Sequence, residues 1–509
     1  MNKKIVLSLA LSLAGASAIA GGLNTNTNPN AAYLRYFAQD ANVSLTSLYA
    51  NPAGSAFLSK GWHFGICDQI AIQRRNVTTT FPLFKLNTTP GWTDENGSHR
   101  YVGKAFAPLI PSADLSYNSG KKWSINAHLG LVGGGGACEY LDGIGSFEAM
   151  YSGAMATEAI SQIATAIQGN PTQMAAIQNA VKQQVIASGV TDPAAIAAAV
   201  QAAMPNAVAS AATTAYTSNP TAYTQGYSLN AYMKGNSYMY GLSVGATYKI
   251  TDNLAVYAGV RGIYATANYN GYVQDFKVTT AAGTKSYGDN TLSMNCDQTG
   301  YGITPILGIH WTINKHWNVA AKYEFKTRIR MSNTTRMNEY TTELAKTNAT
   351  LGQFADGKSV ANDIPGLLGV GVQYSPIENV RIGLGYHWLQ ETRATQYNDK
   401  QNLIDKDTHE ILASAEWKCC KYLTLSLGYQ RTMYGVSDDY MNDVSFNLTN
   451  NSIGCGVRIH PSKLFNIDLG YMHTIYGSRT VTTATAVGDK IDMYERKNDV
   501  IGVGLNFAW

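Results

Sequence analysis

The chain has 509 residues, of which 14% are charged, against about a quarter in ordinary soluble proteins. Its 38 Lys and Arg nearly balance 34 Asp and Glu for a net +4, and no basic run or tail is present, which speaks against nucleic acid as a partner. The low charge and 32 Tyr exclude a disordered chain, and apolar runs are short beyond the N-terminus, which excludes a bundle of membrane helices.

At the N-terminus, Lys3 and Lys4 precede an apolar stretch from Ile5 to Ala16, then Ala18-Ile19-Ala20. This three-part pattern predicts a secretory signal peptide over residues 1–20, cut before Gly21. Residues 21–60 follow with no period of two. They carry Gly21-Gly22, an Asn/Thr run to Asn30, and Tyr33-Leu34-Arg35-Tyr36-Phe37. A segment this long with apolar content is expected to fold as a plug, or hatch, inside a lumen.

From residue 61 the dominant period is two. Tyr240, Leu242, Val244, Ala246, Tyr248 and Ile250 share one face, and Gly241, Ser243, Gly245, Thr247 and Lys249 the other. The pattern recurs at Trp317–Phe325, Val380–Trp388 and Phe465–Tyr471. Such alternation over eight to ten residues is the length a tilted strand needs to cross a bilayer. Short turns are expected at Asn118–Lys121, Thr251–Asn253, Asn314–His316, Pro376–Asn379, Lys418–Lys421 and His460–Lys463. Long loops are expected near 78–99, 137–223, 278–287, 335–359, 397–406, 436–447 and 483–491. Short and long connections alternate and together join fourteen strands. Short periplasmic turns with long outer loops mark an outer-membrane barrel, and the even strand count fits. The expected class is therefore all-β: a 14-stranded antiparallel transmembrane β-barrel over residues 61–509, multi-pass in the outer membrane of a Gram-negative bacterium.

One segment, 148–215, breaks the pattern. It is rich in alanine, with Ile160, Ile163 and Ile167 on one helical face and Met174, Ile177, Val181 and Val185 on another. Asn170-Pro171 and Asp192-Pro193 read as an N-cap followed by Pro at the first helical position. Three helices, starting near 150, 171 and 193, are expected in this outer loop. Their apolar faces either pack on each other and cap the mouth or form a ligand groove. At the far end, Ile501, Val503, Leu505, Phe507 and Trp509 alternate with small or polar residues. A last strand ending on an aromatic residue resembles the signal read by the barrel-assembly machinery. Outer-membrane lipid and lipopolysaccharide are the other partners such a barrel implies.

No catalytic residue, cofactor or metal is expected. HExxH and GxSxG are absent, and His409-Glu410 lacks a second His. Cys67, Cys138, Cys296, Cys419, Cys420 and Cys455 are irregularly spaced with no CxxC, and read as small apolar fillers.

Asn51-Pro52-Ala53, preceded by Asp40-Ala41-Asn42 and followed directly by the first strand, resembles the hatch of the FadL-type long-chain fatty acid transporters of the outer membrane. The signal peptide, plug length, strand count and aromatic end resemble that family as well. The Gly-Gly start and Tyr33-Leu34-Arg35 look like members from the Bacteroides group. The resemblance implies import of a hydrophobic small molecule such as a fatty acid past a hatch, with sideways release through a gap made by a kink in strand 3. In this chain strand 3 runs from Trp123 to Val132 and then meets Gly133-Gly134-Gly135-Gly136. Four glycines without side chains invite a bulge or break in a ladder. A flexible junction into the helical loop is the alternative. The family's helical capture loops follow strands 5 and 7, whereas the helical insertion here follows strand 3, so that site does not carry over.

A carboxylate cargo needs one cation in an apolar tunnel. Arg261, Arg381 and Arg458 fall on lumen-facing positions and are candidates. Lumen charges more commonly pair with each other or with the plug. An open diffusion porin and a structural or partner-binding barrel remain as other readings of the same fold.

Overall fold

The structure, a computed structural model, describes residues 28–288 and 291–509. The expected signal peptide and the Gly21-Gly22 start lie outside the described residues.

Fourteen antiparallel strands form the wall. They are β1 (Gly61–Thr80), β2 (Ser98–Ala107 and Ser112–Asn118), β3 (Trp123–Tyr140), β4 (Gly226–Lys249), β5 (Leu254–Thr280), β6 (Leu292–Thr312) and β7 (Trp317–Glu324 and Arg330–Met337). The circuit continues with β8 (Ser359–Ala361 and Leu367–Ile377), β9 (Val380–Leu389), β10 (Ile404–Cys420), β11 (Leu423–Val436), β12 (Asn450–Ile459), β13 (Phe465–Tyr476) and β14 (Lys490–Ala508). Each pairs with its sequence neighbour, and β14 returns to β1 from His63↔Ala508 to Thr80↔Ile491. Trp62 and Trp509 exchange backbone hydrogen bonds of 2.8 and 2.9 Å at the seam. Closure leaves no sheet edge, the condition for a β structure in lipid.

Alternation places the residues. Ile70, Ile125, Leu242, Ile303, Leu384, Leu427 and Ile501 are exposed outward, while Gln69, Asn126, Ser243, Thr304 and Glu416 are buried inward. At the short-turn end, Trp62–Tyr117, Trp123–Tyr248 and Trp317–Tyr374 pack with ring centroids 4.8, 4.6 and 4.4 Å apart. This is the aromatic girdle of one membrane interface, and the short turns mark it as periplasmic. The fifth long loop starts earlier than expected, because β9 already ends at Leu389. There Glu391–Arg393 and Tyr397–Leu403 form short turns.

The insertion after β3 holds α1 (Gly145–Gln168), α2 (Pro171–Ala187) and α3 (Pro193–Ser218). Asn170 accepts from the Gln173 N–H and Asp192 from the Ala195 N–H, so both Asx-Pro pairs start helices. Met150, Tyr151, Ala154 and Met155 of α1 lie in one core with Phe84, Tyr101, Tyr227 and Phe276 of the barrel mouth. Along α2 and α3 the buried positions are few, Val181 on one and Val200, Val208, Ala212 and Tyr216 on the other. Contrary to the expectation of short apolar runs beyond the N-terminus, α3 is long and apolar enough to cross a membrane by length and composition. Its apolarity is mostly alanine, and it packs against α1 and α2.

Glu148, in the first turn of α1, anchors this insertion. Its carboxylate accepts from Asn87 Nδ2 at 2.8 Å, Trp92 Nε1 at 2.8 Å, Tyr101 OH at 2.6 Å and Tyr227 OH at 2.7 Å. Four neutral donors and the positive end of the helix stand in for a cation.

Residues 28–60 fill the lumen. They make 3-10 turns at Ala31–Arg35, Leu45–Ser47 and Pro52–Phe57, capped by the side chains of Asn30, Ser44 and Asn51. Wall glycines make room for them. A Cβ at Gly454 would lie 2.2 Å from the Leu34 carbonyl oxygen, and one at Gly308 2.7 Å from Asn51 Oδ1.

Candidate functional site

The resemblance pointed to Asn51, Pro52 and Ala53, and the structure seats them against β5, β6 and β7. Pro52 holds the first helical position and Asn51 Oδ1 caps Ala53 N–H at 3.1 Å. Asn51 Nδ2 also donates to the Ile309 carbonyl at 3.0 Å, and Ala53 packs on Tyr257 and Ile306.

The three arginines singled out from the sequence do face the lumen, but each is committed within the protein. Arg261 makes a two-pronged contact with Glu324, its Nη2 at 3.0 Å, and lies 4.9 Å from the Tyr49 ring of the plug. Arg381 reaches Glu416 at 3.4 Å and Asn42 of the plug. Arg458 binds Asp468 through Nε at 2.8 Å and Nη2 at 2.9 Å. Arg35 of the plug joins the same group, bonded to Glu416 and, at 2.8 Å, to Asp468. Nearby His387 bridges Asp40 of the plug at 3.1 Å and Glu410 at 2.9 Å. These ions pin the plug to the wall.

The glycine run lies within β3 rather than in the approach to α1. Two register shifts against β4, at Leu131/Gly133 and at Gly134/Gly136, each add one residue to β3. Gly134 and Gly136 have φ of 128° and 67°, values that β-branched residues avoid. Opposite them, β2 is interrupted at 108–111. The sequence there is Pro108-Leu109-Ile110-Pro111, and neither proline can donate to a ladder. Ile110 keeps both backbone bonds to Gln69 of β1, at 3.0 and 3.3 Å. Towards β3, pairing stops at Ser112↔Gly130 and resumes at Phe106↔Ala137. Between these points no ladder pairing joins the two strands, and the hydrogen-bonded wall has a gap. The prolines carry the missing signal: two of them inside a predicted strand mark a break.

At about 3.3 Å per residue and a tilt of about 40°, the gap stands roughly 25 Å above the periplasmic aromatic ring. An outer-membrane apolar band is itself about 25 Å tall. The gap therefore faces the upper edge of the lipid.

A cavity of about 110 Å³ lies behind it, bordered by Ala107, Ile110, Leu131, Gly134 and Tyr238 beside the gap and by Tyr434, Met472 and Val500 of the lumen. It shares Gly136 with a smaller cavity of about 30 Å³, and that one shares Val444 with a mouth cavity of about 580 Å³. The three cavities are thus neighbours, in order from the outer mouth to the gap. The mouth carries Asp438, Asp439, Asp443 and Asp492. Asp438 is held by Arg479, Asp492 by Lys490, and Asp443 accepts the Ser146 N–H of α1 at 2.7 Å.

Among the described residues no group of His, Cys, Asp and Glu could hold a metal ion, and the six cysteines are unpaired.

No family model and no curated protein matches the sequence. Solved structures do match. A Pseudomonas aeruginosa FadL homologue is 12% identical with a TM-score of 0.59, over 96% of this chain and 100% of that one. The Pseudomonas putida toluene transporter TodX is 11% identical with a TM-score of 0.52, over 98% and 99%. A TodX mutant described as a monoaromatic hydrocarbon channel is 12% identical with a TM-score of 0.51, over 94% and 99%. End-to-end coverage at this identity establishes the architecture: the chain has the plugged, fourteen-stranded barrel fold of the FadL-type structures.

Proposed function

We propose that this barrel carries hydrophobic small molecules such as long-chain fatty acids into the outer membrane, from the mouth through the neighbouring cavities and sideways out between β2 and β3. The observation that carries the reading is the gap itself. Backbone polar groups in lipid are normally paired, and unladdered backbone persists at that depth where it borders a cavity. Here the unpaired stretch borders one directly. The names of the similar structures, a FadL homologue and a toluene transporter, support transport of apolar cargo. A buried plug weighs against an open diffusion porin.

The register gives a clean test. β2 carries one extra residue relative to β1, and β3 carries two relative to β4. Deleting Pro108, Val132 and Gly135 and replacing Pro111 with Thr gives β1 to β4 one register from end to end. Every other side chain keeps its face. Cells lacking their own transporter and expressing this variant are expected to take up labelled oleate no faster than empty-vector cells, with the variant barrel still heat-modifiable on gels. Uptake persisting at the unmodified rate through a repaired wall would refute lateral release.

A further inference from the structure

Every buried arginine described so far meets a carboxylate; Arg75 does not. It stands on the lumen face of β1, 3% exposed, and makes no ion pair among the described residues. Its Nε and Nη2 have no hydrogen-bond partner. These two N–H groups form one edge of the guanidinium, a parallel fork matched to the two oxygens of a carboxylate. The face of the guanidinium is taken by the Phe446 ring, 4.7 Å away, which fixes the plane and leaves the edge free.

The surroundings raise the cost of this arrangement. Directly opposite Arg75 across the β1–β14 ladder is Arg496, whose guanidinium lies over Tyr476 at 5.0 Å. Like charges in register on neighbouring strands repel, and burying a charge without a counterion is expensive. A bound anion would offset both. The position agrees: Arg75 lines the small middle cavity, and Arg496 lines the larger one behind the gap.

We propose that Arg75 is the headgroup site for an anionic amphiphile, binding one carboxylate through its Nε–Nη2 edge with Arg496 beside it. The apolar tail lies among Tyr238, Tyr434 and Met472 towards the gap. This inference rests on the transport reading and narrows its cargo. Acids with a long tail are selected over neutral compounds of the same length.

The test compares dodecanoate with dodecan-1-ol, which share a tail. Binding to the purified full-length barrel in a neutral maltoside detergent is read by native mass spectrometry, and uptake is read in cells. The unmodified protein is expected to prefer the acid. Arg75→Met is expected to cut the acid-over-alcohol preference about tenfold, equivalent to ~1.4 kcal/mol. Arg75→Lys keeps the charge without the fork, and is expected to cut it several-fold; it decides the matter if the Met variant fails to assemble. An unaltered preference in the assembled variants overturns the Arg75 site, whatever the uptake. Binding with preference but no uptake of either compound overturns the transport reading and leaves the site standing.

Discussion

Asp468→Leu is expected to loosen the plug while the barrel stays closed. Asp468 is fully buried and accepts from Arg35 of the plug, twice from Arg458, and from Asn506 Nδ2 at 2.8 Å. Without it, Arg35 and Arg458 lose their shared acceptor, and only Glu416, already met by Arg381, remains to offset them. Breaking a buried ion group by removing one partner costs about 3–5 kcal/mol. The loss falls on the plug, because β13 keeps its backbone ladders to β12 and β14. Hydrogen exchange over Ala31–Phe37 should rise sharply, and single-channel conductance should appear in planar bilayers. Asp468→Asn retains an acceptor and should show a smaller effect. Unchanged protection of the plug in the Leu variant would mean that packing on the wall glycines, rather than the ion group, holds it in place.

Glu148→Leu is expected to undock the helical insertion. The four hydrogen bonds to its carboxylate join α1 to the first outer loop, β2 and β4. Leucine there leaves Trp92, Tyr101, Tyr227 and Asn87 with buried donors and no acceptor. Each unsatisfied group costs about 1–3 kcal/mol, so the sum is at least several kcal/mol even if some reach water. Limited proteolysis should cut within 145–218 while the barrel core survives, and heat-modifiable mobility should be kept. Glu148→Gln still accepts through one oxygen and should fall between. If the insertion stays protected in the Leu variant, the apolar contacts of Met150, Tyr151 and Met155 suffice to dock it.

The two ends of this range of effects, wall and plug, differ in how well the sequence announced them. Alternation at Tyr240–Ile250 and Val380–Trp388 fixed the inward and outward faces, because side-chain direction in a strand follows from position alone. Asn170-Pro171 and Asp192-Pro193 announced helix starts for the same local reason. Partners across the lumen are another matter. Arg458 and Asp468 stand opposite each other across one tight turn, and Arg381 and Glu416 on adjacent strands, yet nothing local reveals that Arg35 of the plug joins Glu416 and Asp468 or that Arg261 meets Glu324. Arg75 and Arg496 meet because barrel closure sets the last strand beside the first. That register depends on every bulge in between, so a sequence reading has no direct access to it. The gap was half legible: the glycines drew notice, whereas Pro108 and Pro111 mattered only once β2 and β3 were seen side by side.

A fixed stopper beneath a side opening has an energetic consequence. On the proposed route nothing in the stopper has to move, so no step exists at which ATP or a membrane potential could be coupled to passage. The protein then lowers a barrier and leaves the equilibrium alone. Cargo moves down its own activity gradient, from outside into the leaflet, and stops when the two are equal. Accumulation depends on a sink further in, an enzyme that consumes the molecule or a compartment that retains it. De-energised cells should load their outer membrane as fast as growing ones, and differ only in saturating sooner.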